Sequence, residues 1–209
     1  WGMPYAMPNL SDEEYGTLVQ WLAQGAPPPA AVVPSAAASE QIVRWEAFLN
    51  GASLKQQLTS RYLYEHLFQA HINFAGSPTR EFYRLVRSST PPGQPIVEIA
   101  TLRPYDSPGS APFYYRLRQN PSSIVAKSHM VYTFSDERMA RYRELFINPD
   151  NTETGLPSYG ASVASKPYNS FREKPFKSRT RFLLDDEHII IEGFVKGPVC
   201  RGQIALNVI

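Results

Sequence analysis

The sequence contains one cysteine, Cys200, among its 209 residues. A single thiol excludes an internal disulfide framework, so cysteine usage does not separate a cytoplasmic from a periplasmic protein. No apolar run approaches the roughly 20 residues needed to cross a bilayer, and no secretory signal peptide is recognisable. The chain begins at Trp1 without an initiator methionine. We therefore expect it to be a piece of a longer protein, and missing targeting signals carry no weight.

Charge of either sign is in little excess, with a net charge of +2. That balance does not indicate nucleic-acid binding. Basic residues are nevertheless concentrated at Arg80, Arg84 and Arg87 and again over 172–181, and both groups predict solvent-exposed faces. The sequence has no P-loop, no G-x-G-x-x-G and no G-x-S-x-G motif. Ser128 and His129 are adjacent on a predicted strand and would point to opposite faces, so they are not assigned as a nucleophile and its base.

The first part of the chain predicts a capped helix and a linker. Ser11 and Glu14 form a capping-box pattern, and apolar residues then recur at helical spacing until Gly25. Residues 26–38 are rich in proline and alanine and carry no charge, which is typical of a semi-rigid extended linker. We predict a helical tail over 1–25, a linker over 26–38, and a larger domain over 39–209 that continues beyond the end of the chain.

The larger domain mixes helical and strand patterns, and its predicted fold class is α+β, with helices packed on a mainly antiparallel sheet. Ser39 and Ser53 are predicted to begin two helices, and Ser135 a third that ends at Ile147. Residues 148–175 predict a long loop. Strands are predicted at 82–87, 96–102, 113–117, 124–134 and after His188, the first two joined as a hairpin or meander.

The stretch SRYLYEHLFQAHINF, residues 60–74, predicts an apolar helix that contains Glu65, His66 and His71. A buried polar group without a partner costs roughly 1 to 3 kcal/mol, so these three residues require partners or a function. His66 and His71 would lie about 140° apart around a helix and would not share a metal site. The H-E-x-x-H order is also absent. A polar stripe of Tyr62, His66, Gln69 and Asn73 either lines a cleft or is hydrogen-bonded within the core.

Two further features suggest a chemical role. Arg201 follows Cys200 and would favour its reactive thiolate, although an inert buried cysteine is the more common arrangement. Met3-Pro4 and Met7-Pro8 precede a short capped helix, which is the layout that c-type cytochromes use for the distal axial ligand. The attachment motif C-x-x-C-H is absent, so any haem would be attached upstream of Trp1.

Several long strings carry a resemblance to one family: SRYLYEHLFQAHINF, FYRLVRSSTPPGQPI, TLRPYDSPG with FYYRL, and GPVCRGQIALNVI. Over nearly all of its length the chain resembles the fatty-acid cis/trans isomerases of Gram-negative bacteria. The resemblance implies a periplasmic enzyme with covalent haem c that converts cis double bonds of membrane phospholipid acyl chains to trans, as part of membrane-fluidity adaptation under stress. It also implies a cytochrome c-like origin for the helical tail, with Met3 as the axial ligand of the haem iron and Met7 as the alternative.

Within that resemblance we predict two groups of site residues. The first shapes and polarises the place where the alkene meets the iron: Glu65, His66, His71, Arg103, Tyr105, Asp106, Cys200 and Arg201. The second contacts anionic headgroups at the membrane surface, because it mixes aromatic and basic side chains: Phe171, Lys174, Phe176, Lys177 and Arg179. An ordinary charged loop is the alternative for the second group.

Two other functions remain open at this stage. One is a periplasmic electron carrier linked to a c-type cytochrome, in which the α+β domain docks a redox partner. The other is a lipid-binding module without catalytic activity.

Overall fold

A computed structural model describes residues 9–27, 33–77, 81–120 and 131–195, with side chains to residue 186 except at position 161. The helices in this part are α1 (Asp12–Ala23), α2 (Ala36–Leu49), α3 (Leu54–Leu67), α4 (Asp136–Tyr142), α5 (Ala161–Ala164), α6 (Pro167–Ser170) and α7 (Phe176–Val195), and a π-helical turn (Arg143–Ile147) extends α4. The strands are β1 (His71–Phe74), β2 (Tyr83–Ser88), β3 (Tyr114–Gln119) and β4 (Val131–Phe134). Within these ranges no helix is both long and apolar enough to cross a bilayer.

The strands form one sheet of four, in the order β3-β2-β1-β4. β2 pairs antiparallel with both β3 and β1, whereas β1 and β4 are parallel. The predicted α+β class with a mainly antiparallel sheet is confirmed. Arg87 lies opposite Tyr115 in the β2–β3 register, which matters for the site described below.

The core lies between the sheet and the helices and is rich in aromatic rings. Trp45 of α2 is fully buried and stacks on Phe134 of β4 with ring centroids 3.8 Å apart. Tyr142 meets the edge of Trp45, and Phe182 of α7 packs against Tyr142. Burial of large rings in this way is the main source of stability for a domain of this size.

Helix α2 protects the free edge of β3 with polar side chains. Asn50 donates to the carbonyl of Tyr115 and accepts from the Tyr115 N–H, at 2.8 and 2.9 Å. The buried carboxylate of Glu46 accepts from the Leu117 N–H at 2.9 Å and from Arg116 Nε at 2.8 Å. These side chains take the place of a further strand, and the edge is therefore not open to pairing with another chain.

A second polar network attaches α7 to β4. Asp186 accepts from the Tyr132 hydroxyl and from Arg138, each at 2.7 Å. The Tyr132 and Tyr142 hydroxyls also share a hydrogen bond. Each carboxylate oxygen of Asp186 therefore accepts one hydrogen bond, so this buried group is satisfied inside the fold.

The stretch 60–74 is not one helix, and this prediction was wrong. α3 ends at Leu67, and His71–Phe74 forms β1, in which Ile72 and Phe74 face the core. The spacing of Ile72 and Phe74 also fits a strand, and the four-residue parallel ladder with β4 decides between the two conformations. The predicted polar stripe does not form, because α3 ends before Gln69 and Asn73. Asn73 lies on β1 and accepts a hydrogen bond from Thr133.

Two strand predictions were also wrong. Residues 96–102 form only an isolated bridge between Glu98 and Ser88, flanked by hydrogen bonds from the Ser89 N–H to the Val97 carbonyl and from the Ile99 N–H to the Arg87 carbonyl. The residues after His188 continue helix α7 to Val195. An isoleucine run has no period of its own and is compatible with either a buried strand or a helix. The 124–130 part of a predicted strand lies outside the described residues, as does the chain after Val195.

The predicted helix caps are mostly confirmed. Ser11 and Glu14 form the capping box of α1, Ser53 caps α3 and Ser135 caps α4. Ser39 was wrongly assigned, because Ser35 caps α2 and lies within the predicted linker. No residue of α1 is buried. The division into tail, linker and domain stays a prediction.

Replacing Glu46 tests the clamp formed by the bonds of Glu46 to Leu117 and Arg116 at the edge of β3. Glu46→Gln leaves the buried Arg116 charge without a counter-ion, so we expect it to lower the free energy of unfolding by about 3–5 kcal/mol. Urea denaturation measures this. The matched control is Arg44→Gln, which removes an ion pair to Asp136 whose side chains are 49% and 57% exposed, and which we expect to change stability by less than about 1 kcal/mol. Equal losses in the two variants would contradict the proposed role of the clamp.

Candidate functional site

A buried ion pair lies on α3. Arg61 Nε donates to Glu65 Oε1 at 2.8 Å, and the two side chains are 4% and 8% exposed. The residues are one helical turn apart, so the helix itself brings them together. Arg61 also donates from Nη1 to the carbonyl of Pro157, and its guanidinium stacks 3.8 Å from the ring centre of Tyr159. The pair therefore joins α3 to the segment 148–160.

A second buried arginine, Arg87 of β2, is 1% exposed. Its Nη1 donates to the carbonyl of Asp106 at 2.9 Å, and its Nη2 donates to Thr101 Oγ1 at 2.8 Å. The guanidinium also lies 4.9 Å from the ring centre of Tyr64 and 5.9 Å from that of Tyr159. Arg87 thus attaches the loop 101–106 to the sheet.

We call Arg61, Glu65, Arg87, Tyr64 and Tyr159 the cation cluster. It holds two guanidinium groups and one carboxylate. Burial raises the pKa of Glu65, an effect that the neighbouring Arg61 partly offsets. Among the described residues, Arg61 Nη2 and Arg87 Nε are buried and have no hydrogen-bond partner. The cluster therefore has an excess of positive charge and of hydrogen-bond donors.

A cleft of about 520 Å³ borders the cation cluster, and Arg61, Tyr159 and Tyr115 line it. We call it the Arg61 cleft. Its other walls come from residues 49–52, Gln57, residues 108–114 and Leu156, and most of this lining is apolar. Burial also raises the pKa of Tyr115 well above its ordinary value, so this phenol stays protonated. The cleft combines one charged end with an apolar body.

The structure brings some of the predicted site residues together. Glu65 and Asp106 both lie within electrostatic reach of Arg87, and the joint role predicted for Glu65 and the 103–106 loop stays a prediction. Only the Asp106 backbone reaches the cation cluster, however. Its carboxylate pairs with Arg103 at 2.9 Å on the surface, and Arg103 covers the ring of Tyr105 at 5.1 Å. The Arg103 N–H lowers the pKa of Asp106.

The two predicted histidines lie on different elements, His66 on α3 and His71 on β1. His66 Nδ1 bonds to the Tyr62 carbonyl at 2.8 Å, and its ring lies 4.1 Å from Tyr62 and 5.4 Å from Phe182. Because a carbonyl only accepts, this bond places the proton on Nδ1 and leaves Nε2 as the acceptor nitrogen. His71 lies on β1 beside Phe82. Placing His71 on the same helix as Glu65 and His66 was therefore wrong, and the site roles of the three residues stay predictions.

Part of the predicted membrane-contact group is buried. Phe171 and Lys174 are each 1% exposed, so assigning them to a membrane surface was wrong. Lys174 Nζ donates to the Lys55 carbonyl, to Thr59 Oγ1 and to Glu153, at 3.0, 2.7 and 3.1 Å. The predicted loop 148–175 is fixed to α3 by these bonds. Phe176 is 72% exposed, Lys177 is exposed and Arg179 is half-buried, so these three stay predictions.

Met3, Met7, Cys200 and Arg201 lie outside the described residues, and their predicted roles stay predictions. In the part of the chain that the structure describes, no cluster of three or more histidine, cysteine, aspartate or glutamate residues is placed to hold a metal ion.

Sequence reasoning missed Arg61, Arg87 and Tyr159. Arg87 was assigned to an exposed basic face with Arg84, but Arg84 alone of the two is exposed. The signal for Arg61 was available, because an arginine four residues before Glu65 in an apolar helix predicts a buried pair. Nothing in the sequence indicated Tyr159, which the chain brings to α3 from a long irregular segment.

Comparison with known proteins identifies a family. A family model described as Fatty acid cis/trans isomerase (CTI) matches residues 1–209. No curated protein and no solved structure matches the chain significantly.

The Lys174 bonds predict a pH dependence. Burial lowers the pKa of Lys174 below its ordinary value of 10.5. Between the folded and unfolded pKa values the unfolded chain binds more protons, so stability should rise with pH in that window and level off above about 10.5. Urea midpoints over pH 8–10.5 for the wild type and for Lys174→Met measure the difference, and the variant should lack this rise. If Lys174→Met does not fold, the double variant Lys174→Met/Glu153→Leu replaces the pair with apolar side chains. If the urea midpoints of the wild type and of Lys174→Met change with pH in the same way, Lys174 is not the cause of the pH dependence.

Proposed function

Because the chain belongs to the fatty acid cis/trans isomerase family, we propose that it converts cis double bonds of unsaturated acyl chains to trans. The match over residues 1–209 is the observation that carries this proposal. The Arg61 cleft supports it, since about 520 Å³ lies within the range of small-molecule sites and much of its wall is apolar.

The reaction adds and removes no atoms. The double bond must lose part of its π-bond order, rotate and be restored, so the protein has to hold the chain on both sides of the alkene and control the polarity around it. We assign both tasks to the apolar walls of the Arg61 cleft, which hold the chain and keep water from the alkene. The Arg61–Glu65 pair borders the cleft, and we assign to it the position of the chain within the cleft.

The proposal also includes a cofactor and a cellular location. We propose haem c as the cofactor, which the thioether of Met3 would help to hold, in a periplasmic enzyme that adjusts membrane fluidity by acting on phospholipid acyl chains. When bound, a ferric haem would supply an electron-withdrawing iron. Met3 and Met7 fall outside the described residues, so no described residue is assigned to the haem and no step is assigned to its iron.

The activity is tested by fatty-acid analysis of membranes incubated with the full-length protein. We expect trans acyl chains to appear at the expense of cis chains of the same length, as measured by gas chromatography. We expect Glu65→Gln to lower the rate of trans-product formation by at least about tenfold, which corresponds to roughly 1.4 kcal/mol in the barrier.

Glu98→Gln is the matched control, since Glu98 pairs with Arg118 at the surface. Haem content, read from the optical spectrum, must be equal in all variants. Haem without any trans product would favour the electron carrier. Phospholipid binding that survives loss of the haem site, with no trans product even when the haem site is intact, would favour the lipid-binding module. Unchanged turnover in Glu65→Gln would remove this residue from the mechanism.

The remaining membrane-contact residues give a separate prediction. Phe176 and Lys177 begin α7 with exposed side chains, and a basic residue near an anionic surface contributes about 1 kcal/mol to binding. We therefore expect Lys177→Glu to weaken binding to phosphatidylglycerol vesicles at low salt by about fivefold or more, measured by co-sedimentation. The control is Lys166→Glu, which makes the same charge change at another exposed lysine. Equal binding by the two variants would end the proposal.

A further inference from the structure

We propose that the Arg61 cleft binds an oxyanion at the end of an acyl chain, with Arg61 as the residue that positions it. The inference rests on the proposed function and extends it, because it names the chemical group by which the substrate is held. The two candidate sources of the oxyanion are the carboxylate of a fatty acid and the phosphate of a lipid headgroup.

The first argument is charge. Arg61 and Arg87 bring two permanent positive charges into the cation cluster, and Glu65 brings one carboxylate. Asp106 does not balance the second charge from close range, because its carboxylate pairs with Arg103 and only its carbonyl bonds to Arg87. A buried charge without a counter-ion costs several kcal/mol. A bound anion would supply the missing charge.

The second argument is the set of donors. Arg61 uses Nε for Glu65 and Nη1 for the Pro157 carbonyl, and its Nη2 has no partner in the described part of the chain. Guanidinium groups prefer carboxylate and phosphate oxygens because their N–H groups match the geometry of these anions. Pairing Nη2 with an oxyanion would therefore complete the hydrogen bonds of Arg61.

The third argument is access. Arg61 lines the cleft, and so does Tyr159, whose ring lies on the Arg61 guanidinium. Nη2 is closed to solvent. An anion that enters the cleft must therefore shift the Tyr159 ring to reach this nitrogen. Tyr159 lies in an irregular segment just before α5, where such a shift breaks no helix or strand.

The fourth argument is the shape of the ligand. Beyond Arg61, the walls include Pro108, Ala111, Pro112 and Phe113 on one segment, with Leu49 and Leu156 from elsewhere. A small inorganic anion would leave these apolar walls in contact with water. An anion that carries a hydrocarbon chain satisfies both parts of the cleft.

The experiment measures binding of three ligands with the same cis-monounsaturated chain to the full-length protein: the free acid, its methyl ester and the lysophosphatidic acid. Each ligand is kept below its micelle concentration and displaces a fluorescent fatty acid. A hydrogen bond to a charged group contributes about 1.5–3 kcal/mol, so Arg61→Gln should weaken binding of the anionic ligand roughly 10- to 150-fold and leave the ester within about twofold. Arg118→Gln, at a surface arginine that is 50% exposed, is the matched control and should change none of the three affinities.

The outcomes separate the two sources. A larger loss for the free acid identifies the carboxylate as the ligand, and a larger loss for lysophosphatidic acid identifies the phosphate. If Arg61→Gln weakens the ester as much as the two anions, or weakens none of them, the anion site is wrong. Arg61→Lys keeps the charge but not the guanidinium fork, and it should retain part of the anion affinity if Arg61→Gln does not fold.

Trans product from the wild type is measured separately, by gas chromatography on the ester and on the acid. Arg61-dependent binding of anions without any trans product would refute the proposed function and leave the anion site standing. Trans product formed equally by the wild type and by Arg61→Gln from both substrates would refute the anion site and leave the function standing.

Discussion

Much of the structure depends on the buried ion pair between Glu46 and Arg116. The carboxylate of Glu46 accepts from the Leu117 N–H and from Arg116 Nε, and it thereby fixes β3 against α2. The other nitrogens of Arg116 hold the carbonyls of Pro91 and Gln94, at 2.6 and 3.1 Å, so the same ion pair shapes the turn that follows β2. Because Tyr115 of β3 lies opposite Arg87 of β2, the position of β3 also sets one side of the cation cluster.

Buried cationic side chains hold several irregular segments in place. Each is attached to the regular core by a buried cation that donates to backbone carbonyls or to a carboxylate. Arg116 holds residues 90–94, Arg87 holds 101–106, and Arg61 and Lys174 hold 148–174. Buried ion pairs contribute little net stability compared with apolar packing, but a missing partner is strongly unfavourable. In this protein such pairs therefore decide where the loops lie more than how stable the fold is.

The sequence was sufficient for features that depend on local chemistry and insufficient for those that depend on distant partners. The caps at Ser11, Ser53 and Ser135 were predictable because a hydroxyl bonds to an N–H only three residues away. Residues 71–74 were assigned to a helix because their apolar spacing fits both periods, and only the ladder with β4 selects the strand. That Glu65 needs a buried partner was predictable, because it is a polar residue in an apolar helix, whereas the contact of Arg61 with Tyr159 comes from chain folding.

The bonds of Lys174 have a consequence for how the protein is made. Lys174 satisfies the carbonyl of Lys55 and the hydroxyl of Thr59, which precede it by 119 and 115 positions. At a synthesis rate of about 5–20 residues per second, roughly 6–24 s pass between the synthesis of Lys55 and that of Lys174. During that interval the buried face of α3 is exposed to other chains, and closing so long a loop is slow. The nascent chain is therefore most prone to aggregation between the synthesis of α3 and that of α7, the interval in which a chaperone would be of most use.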